Sequence, residues 1–478
     1  MYRGWINPAT VTPGHLVLSK PCAGGKLSRE SSPSRIDPIE HVVTKGDLMS
    51  LDLDHIRPLF PALDVHDQGR RRTYLDNPAG TQVPRQVIDR TLHALVHCNA
   101  NMGGNFTTSR EATELSQMAH VAMADFYNAN SAREVIFGAN STSLTFAVTR
   151  AIAHLFEPGE EIIVTRMEHD ANASPWRILA EERGLVIKRL NFDRSTYQLD
   201  LSELDELITE RTRFAAINYA SNVLGTINDV REICRRVHAA GGLTYVDAVQ
   251  YAPHGPIDVQ SLGCDFLVAS AYKFYGPHQG VLWGREDLLE RLHPYKLRVA
   301  SNDLPGRFET GTQSLEGQAG TIGAIDYLEW IGKTMGAEFV QEESNLSQRT
   351  INVHAALRAM AAYEETLSAR LITGFGGFDG VIVHGITDPA QFAKRVPTVS
   401  ISKPGMQPAA MAAALDEVGI FVWDGHSYAI DVIEWLGLAD QGGVVRFGPT
   451  HYNTIDEIDF ALNAVSDFLV RPSRQPTS

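Results

Sequence analysis

The chain has 478 residues, 44% hydrophobic and 21% charged, a composition of ordinary globular character and a length beyond one comfortable hydrophobic core, so two domains are expected. A formal net charge of -15 with no clustered Lys and Arg excludes the usual polyanion-binding surface, and nucleic acid is not an expected partner. The four cysteines, Cys22, Cys98, Cys234 and Cys264, show no close pairing and no C-x-x-C, and no apolar run approaches the ~20 residues of a membrane span, so neither a disulfide framework, a metal site nor a membrane location is expected; a reducing cytoplasm fits.

Residues 1–48 are rich in Ser, Pro and Gly (Gly24-Gly25, Ser31-Ser32-Pro33-Ser34) and read as a disordered extension. Met49 stands directly before the first amphipathic stretch, Leu51 to Leu63, so translation is expected to be able to start there. From about Tyr74, short apolar runs alternate with longer helical patterns: Glu134–Phe137, Glu161–Thr165, Val186–Leu190, Phe214–Asn218, Leu243–Val246, Phe266–Ser270 and Gly280–Gly284. Such alternation indicates βαβ units and an α/β domain with a mostly parallel sheet. After about Gly311 come long helical patterns, Leu315–Lys333 and Gln341–Leu367, then isolated strands, Val381–Ile386, Thr398–Ser402, Ile420–Trp423 and Val444–Phe447, and a closing helix, Ile455–Leu469. This segregation predicts a smaller α+β domain. The expected division is 49–64 as an N-terminal segment on the small domain, 65–310 as the large domain, 311–470 as the small one and 471–478 as a tail.

Lys273, in Ser270-Ala271-Tyr272-Lys273-Phe274, follows a buried-type strand and is placed to point into the crevice at the carboxyl edge of the sheet. A solvated loop lysine is the alternative. Asp247 ends the apolar run Leu243-Thr244-Tyr245-Val246, where a carboxylate shielded from water would hold a pyridine nitrogen protonated; a helix cap explains the same residue. Gln250 is then a donor to a ring hydroxyl or a surface residue. Phe137-Gly138-Ala139-Asn140-Ser141-Thr142-Ser143 joins a strand to a helix through small hydroxylated residues, either an anion site or ordinary N-capping. His169, after another strand, is placed to stack on an aromatic cofactor or is a plain loop histidine. No G-x-G-x-x-G or G-x-x-x-x-G-K-[ST] pattern occurs in a strand-turn-helix setting, which sets a nucleotide-binding reading aside.

The order and spacing of these segments resemble the cysteine desulfurase and selenocysteine lyase group of class V aminotransferases, fold-type I pyridoxal-phosphate (PLP) enzymes. The resemblance runs from about Leu51 to Leu469. It rests on Tyr74-Leu75-Asp76-Asn77-Pro78-Ala79-Gly80, Glu168-His169 with Asn172, Ser221-Asn222-Val223-Leu224-Gly225, Val246-Asp247 with Gln250, Ser270 to Pro277, Arg307 to Thr312, and Tyr452-Asn453-Thr454. It implies that Lys273 holds the cofactor as an internal aldimine and moves protons at the substrate α-carbon through a quinonoid. It further implies that Asp247 pairs with the pyridine nitrogen, Gln250 faces the ring hydroxyl, His169 stacks over the ring, and Ser141, Thr142 and Ser270 hold the phosphate. In such dimers a Gly-Thr of the neighbouring subunit reaches the same phosphate, so Gly311-Thr312 implies a homodimer. Arg446 resembles the arginine that binds the substrate carboxylate, assisted by Asn222.

Two positions depart from the family. Tyr272 stands where a histidine usually precedes the lysine, with a hydroxyl still able to bond a phosphate. Asp424-Gly425-His426-Ser427-Tyr428-Ala429 occupies the segment that carries the nucleophilic cysteine, with Tyr428 at its position, and no cysteine follows Cys264. A phenol with pKa near 10 does not replace a thiolate as sulfur acceptor. Cys98, just before Asn99 to Asn105, is a test case for a substitute, with a buried inert thiol as the alternative. The expected reaction is therefore β-elimination from an S-substituted cysteine, a C–S lyase reaction that needs no enzyme thiol, with Tyr428 and His426 in the substrate pocket as general acids or as groups that close it. Amino transfer, epimerisation and a non-catalytic PLP-binding role are the alternatives. The sequence identifies no sulfur acceptor protein.

Overall fold

Side chains of a strand alternate between the faces of its sheet, and in the computed structural model of the chain this alternation fills two cores. Residues 51–67, 69–341 and 346–470 are described, all within the compact unit Ser50–Ser478. The expectations for 1–48, Met49 and 471–478 fall outside them. Seven strands, β1 (Val135–Gly138), β2 (Glu161–Thr165), β3 (Val186–Leu190), β4 (Thr212–Asn218), β5 (Leu243–Asp247), β6 (Phe266–Ser270) and β7 (Gly280–Gly284), form one sheet in the order β1-β7-β6-β5-β4-β2-β3. All run parallel except β7, which is antiparallel to both β1 and β6. Ile136, Val164, Phe214 and Val268 face one core, and their neighbours Phe137, Ile163, Ala215 and Leu267 face the other. Burial on both faces is why these strands read as continuous apolar runs.

Helices α1 (Arg85–His97), α2 (Thr107–Tyr127) and α3 (Ser141–Ile152) precede β2, and α4 (Leu315–Met335) follows β7. Ile322, Ile325 and Leu328 of α4 lie in the same core as Phe137 and Ile163. A second, antiparallel sheet has the order β8-β9-β11-β10, made of β8 (Ile382–His384), β9 (Val399–Ser402), β10 (Trp423–Gly425) and β11 (Val444–Phe447). Helices α5 (Gln348–Gly376) and α6 (Ile455–Val470) pack on it through Leu371, Phe375 and Leu462 against Ile401 and Phe447.

Three elements differ from expectation. The stretch Leu51–Leu63 is broken into Leu53–Ile56, Arg57–Leu59 and Pro61–Asp64, because Pro58 and Pro61 each begin a new short turn. Ile420–Trp423 is two strands: Ile420–Phe421 pairs in parallel with Thr73–Tyr74, while Trp423 opens β10 in the second sheet. The helix expected over Gln341–Leu367 starts at Gln348, where the Ser347 hydroxyl accepts from the Thr350 N–H, and runs on to Gly376. Among the described residues no helix is long and apolar enough to cross a membrane, and no group of three or more His, Cys, Asp or Glu is arranged to hold a metal ion.

Candidate cofactor and substrate site

In a parallel sheet the strand ends gather on one edge, and here five of them carry the polar residues singled out in the sequence. After β1, Asn140 caps α3: its side chain accepts from Ser143 N–H at 2.8 Å while the Ser143 hydroxyl accepts from Asn140 N–H, leaving Ser141 and Thr142 in the first turn. β2 leads to Glu168 and His169, β4 to Asn222, β5 ends on Asp247 and leads to Gln250, and β6 ends on Ser270 and leads to Lys273. A cavity of about 590 Å³ opens above this edge. Its lining combines Thr142, His169, Asn222, Tyr272 and Lys273 from the strand edge with Trp423, Tyr428 and Arg446 from the second sheet and the loop after β10.

Burial sets the charge states. Lys273 is 9% exposed, and loss of solvent, with the Arg446 charge adding to it, pulls its amine down to about 7; Nζ donates to the Pro78 carbonyl. Burial pushes the Asp247 carboxyl up to about 6, against the Val249 N–H that donates to Oδ1 at 2.9 Å. His169 is lowered to about 4 by burial and then by the Lys273 charge, so its ring is neutral; Ala171 N–H donates to Nδ1 at 3.1 Å, which leaves the ring proton on Nε2. Arg446 is buried, donating from Nη2 to Asp76 Oδ1 at 3.0 Å and from Nη1 to the Asn222 carbonyl at 3.2 Å.

Several buried polar atoms here find no hydrogen-bond partner among the described residues: Asn222 Oδ1, Gln250 Oε1, Ser270 Oγ, Ser427 Oγ and Arg446 Nε. Native proteins rarely leave such groups unpaired, and their gathering at the strand edge and on the second-sheet elements facing it is the mark of a polar ligand site. The donor set suits an aromatic phosphate-bearing aldehyde. It offers an amine that is half neutral near pH 7, a shielded carboxylate, an amide, and hydroxyls beside a helix N-terminus.

Not every expected residue is on the wall: Ser141, Asp247, Gln250 and Ser270 stand at the strand edge but not in the cavity lining. Gly311, at φ +71°, and Thr312 are exposed and lie outside it. His426 is also exposed and outside, its Nδ1 accepting from Tyr428 N–H at 3.0 Å. Tyr428 is on the wall, its ring stacked on His169 with centroids 5.4 Å apart. Cys98 is buried, its thiol pushed up by burial, and lines a separate cavity of about 290 Å³ with His93, His97 and Glu111.

Three residues carry more than the sequence disclosed. Asp76 is the ion-pair partner of Arg446. Trp423 is on the cavity wall. Glu168 is fully buried and accepts from Thr165 Oγ1 (2.6 Å), Asn172 Nδ2 (2.7 Å) and Asn218 N–H (2.7 Å), while Asn172 Oδ1 accepts from Trp176 Nε1 at 3.1 Å. That network fixes the turn that presents His169. Its only signal in the sequence was the segment Glu168-His169 with Asn172.

The model of the class V aminotransferase family matches residues 73–353 and 351–460. A cysteine desulfurase of Yersinia pseudotuberculosis serotype O:1b is 31% identical over 431 residues, 86% of this chain and 97% of the relative. One from Pectobacterium atrosepticum is 32% identical over 427 residues, 86% of this chain and 96% of the relative. Among solved structures, an apo cysteine desulfurase from Thermococcus onnurineus NA1 superposes with a TM-score of 0.76 at 27% identity, covering 87% of this chain and 97% of that one. An S-sulfonic acid form of a cysteine desulfurase from Escherichia coli gives 0.72 at 26% identity, with 88% and 98% covered. Fold, strand-edge site and matched segments together place the protein in the class V aminotransferase family, whose members are PLP-dependent enzymes.

Proposed function

We propose that the protein is a PLP-dependent C–S lyase of cysteine-desulfurase-like ancestry that eliminates the β-substituent of an S-substituted cysteine. The observation that carries this reading is Lys273, an amine brought near neutrality by burial and by the Arg446 charge, against Asp76 and Asp247, in a cavity lined by no cysteine among the described residues. The curated cysteine desulfurases that the chain resembles support C–S chemistry. The tyrosine at the loop position of the family nucleophile supports elimination without a persulfide.

The unpaired buried atoms fit the cofactor. Ser270 Oγ with Ser141 and Thr142 would hold its phosphate, Gln250 the ring hydroxyl, Asp247 the ring nitrogen, and Lys273 its aldehyde carbon, with His169 across the ring face. Bound there, PLP supplies an electron sink for charge developing at the substrate α-carbon. The chain does the rest. Arg446, with Nε open and Asn222 beside it, clamps the substrate carboxylate. Lys273, once free, takes the α-proton, a task suited to an amine near pKa 7. Tyr428, over His169 at the rim, is placed to protonate the departing sulfur.

The protein is read as a homodimer. Ile88, Leu92, Leu95 and Val96 of α1 and Met118 and Val121 of α2 are large, exposed and apolar, and Gly311-Thr312 stays clear of its own chain's cavity wall. The two sheets support a larger cofactor-binding domain and a smaller C-terminal one. Helix α4 (Leu315–Met335), and Leu51, Ile56 and Phe60 of the N-terminal segment, share the core of the larger sheet with Phe137 and Ile163, so the larger domain takes in more than 65–310 and the smaller one less than 311–470. Free thiols at Cys98, Cys234 and Cys264 support a cytoplasmic location.

The deciding experiment follows holoenzyme absorbance during addition of S-methyl-L-cysteine, L-alanine and L-glutamate, with assays for pyruvate, ammonia and thiol. Equal pyruvate and ammonia from S-methyl-L-cysteine is the expected result. An aminated cofactor or an inverted stereocentre, without thiol release, overturns it in favour of amino transfer or epimerisation.

A further inference from the structure

We propose that the outer half of the cavity is a subsite for an apolar substituent of aromatic size on the substrate sulfur, built chiefly by Trp423 and Tyr428. This rests on the elimination reading above. Trp423 of β10 is the direct cross-strand partner of Arg446 of β11. Residues directly opposite on paired strands share a face, with Cβ atoms about 5 Å apart. The carboxylate anchor and the indole are therefore neighbours, and a substrate held by Arg446 carries its side chain toward Trp423.

Both aromatics line the cavity and both leave much of their surface to solvent, 44% for Trp423 and 60% for Tyr428. Phe146 of α3 and Pro175 add further apolar surface to the same lining. The charged and amide groups, Lys273, Arg446 and Asn222, are buried. The carboxylate on the rim, Asp170, is engaged by Arg177 at 2.9 Å and by the Ser174 hydroxyl at 2.8 Å, so it is not free to receive a cationic substituent. The rim therefore offers apolar surface to whatever the inner groups have anchored.

That surface is held in place before any ligand arrives. Ser427 and Tyr428 adopt φ of +48° and +58°, two successive left-handed residues without glycine's freedom. Asn222 Nδ2 donates to the Ser427 carbonyl at 2.8 Å and Asp170 N–H to the Tyr428 carbonyl at 2.8 Å, which pins the loop to the strand edge at two points. The Tyr428 ring completes the fixation by stacking on His169. Rigid aromatic surface of this kind binds at low entropic cost.

The reaction balances without an external oxidant or reductant. The substrate's Cα–H and Cβ–S bonds break, and the α-proton goes to Lys273. Sulfur leaves with the bonding electron pair and takes a proton to become an apolar thiol. Water hydrolyses the remaining three-carbon aminoacrylate to pyruvate and ammonia.

The test separates the subsite from the chemistry. Holoenzyme is titrated with L-2-aminobutanoate and L-2-amino-4-phenylbutanoate, which carry no leaving group, and binding is read from cofactor absorbance. Elimination is measured in parallel on S-methyl- and S-benzyl-L-cysteine. The phenyl analogue is expected to bind about tenfold tighter or more, and kcat/KM to favour the benzyl substrate by a similar factor. Trp423→Ala should bring both ratios to within about threefold of unity, and Trp423→Phe should retain most of them. Equal or weaker binding of the phenyl analogue overturns the subsite even where both cysteine derivatives yield pyruvate, as does a Trp423→Ala ratio equal to wild type. Tight phenyl binding with no pyruvate from either cysteine derivative removes the elimination reading and leaves the subsite standing.

Discussion

Arg446 and Asp76 form a buried ion pair, Nη2 to Oδ1 at 3.0 Å, that ties the second sheet to the segment whose Pro78 carbonyl accepts from Lys273. The pair holds the guanidinium fork in place with Nε still open, which is the arrangement a carboxylate anchor needs.

Arg446→Ala should weaken amino-acid binding by ~2 kcal/mol or more, because a desolvated carboxylate loses its charged partner. Arg446→Lys should restore little, since an ammonium does not reproduce the planar fork. Asp76→Asn keeps an oxygen able to accept from Nη2 but removes its charge, leaving the buried guanidinium without a counter-ion, and should lower stability by about 3 kcal/mol. Substrate titration and denaturant midpoints check these, and unchanged substrate affinity in Arg446→Ala refutes the anchor.

The Lys273 amine has a folded pKa of about 7 against 10.5 in the free side chain, so the folded chain binds this proton more weakly than the unfolded one. Below about pH 7 the lysine is charged in both states and its burial costs the fold the full difference. As pH rises from 7 toward 10.5 the folded state is already neutral and the cost disappears. In cofactor-free protein, Lys273→Met should therefore be more stable than wild type by roughly 3–5 kcal/mol at pH 6, with the advantage shrinking through pH 7–10. Wild-type apoprotein should also capture PLP covalently faster as pH rises through 7, followed as growth of the bound chromophore. A Lys273→Met advantage independent of pH would contradict the assigned ionisation.

What was legible in the sequence divides along physical lines. The runs Glu161–Thr165, Val186–Leu190, Phe266–Ser270, Gly280–Gly284 and Val444–Phe447 are strands with those bounds, because apolar β-branched residues closed by polar or glycine positions leave a local signature. The direction of β7 was not legible, since antiparallel insertion between β1 and β6 is decided by tertiary pairing and its composition matches a parallel strand. Lys273, His169 and Asp247 stood out because each ends or follows a recognisable strand, with plainer structural readings still open, whereas Arg446 came only from the resemblance to the family. Asp76 and Glu168 stood in matched segments, but their partners, Arg446 for Asp76 and Asn218 for Glu168, and the pairing of Trp423 with Arg446 across two strands, are made by tertiary folding and leave no local signal.

Gly280 begins β7 against the helix-capping residue, and a Cβ there would sit 2.4 Å from the Asn140 carbonyl carbon. Gly280→Ala must displace Asn140 and with it the first turn of α3, where Ser141 and Thr142 lie. The expected cost is about 1–3 kcal/mol of stability. A weaker hold on PLP, measured by equilibrium dialysis against wild type, should accompany it. Asn140→Ala, which removes the cap without a clash, should reproduce the loss of affinity in smaller degree; full PLP affinity in both variants would detach this helix end from the phosphate.

Thiol chemistry gives the sharpest contrast with a persulfide mechanism. Cys98, Cys234 and Cys264 are buried, outside the main cavity wall, and all three thiols are raised by burial, Cys234 to about 12. The thiolate is the reactive form, so at neutral pH these side chains are poor nucleophiles. Cys98→Ala should release thiol and pyruvate from S-methyl-L-cysteine within about twofold of wild type, the range expected of a substitution remote from the reacting atoms. Treatment of the wild type with iodoacetamide should likewise leave turnover intact. Tyr428→Phe should slow thiol release, most of all for substituents whose thiols are weak acids and depend on a proton donor. Inactivation in proportion to alkylation of Cys98, or a protein-bound persulfide trapped on any cysteine during turnover of L-cysteine, would instead establish a sulfur-transferring enzyme with a relocated nucleophile.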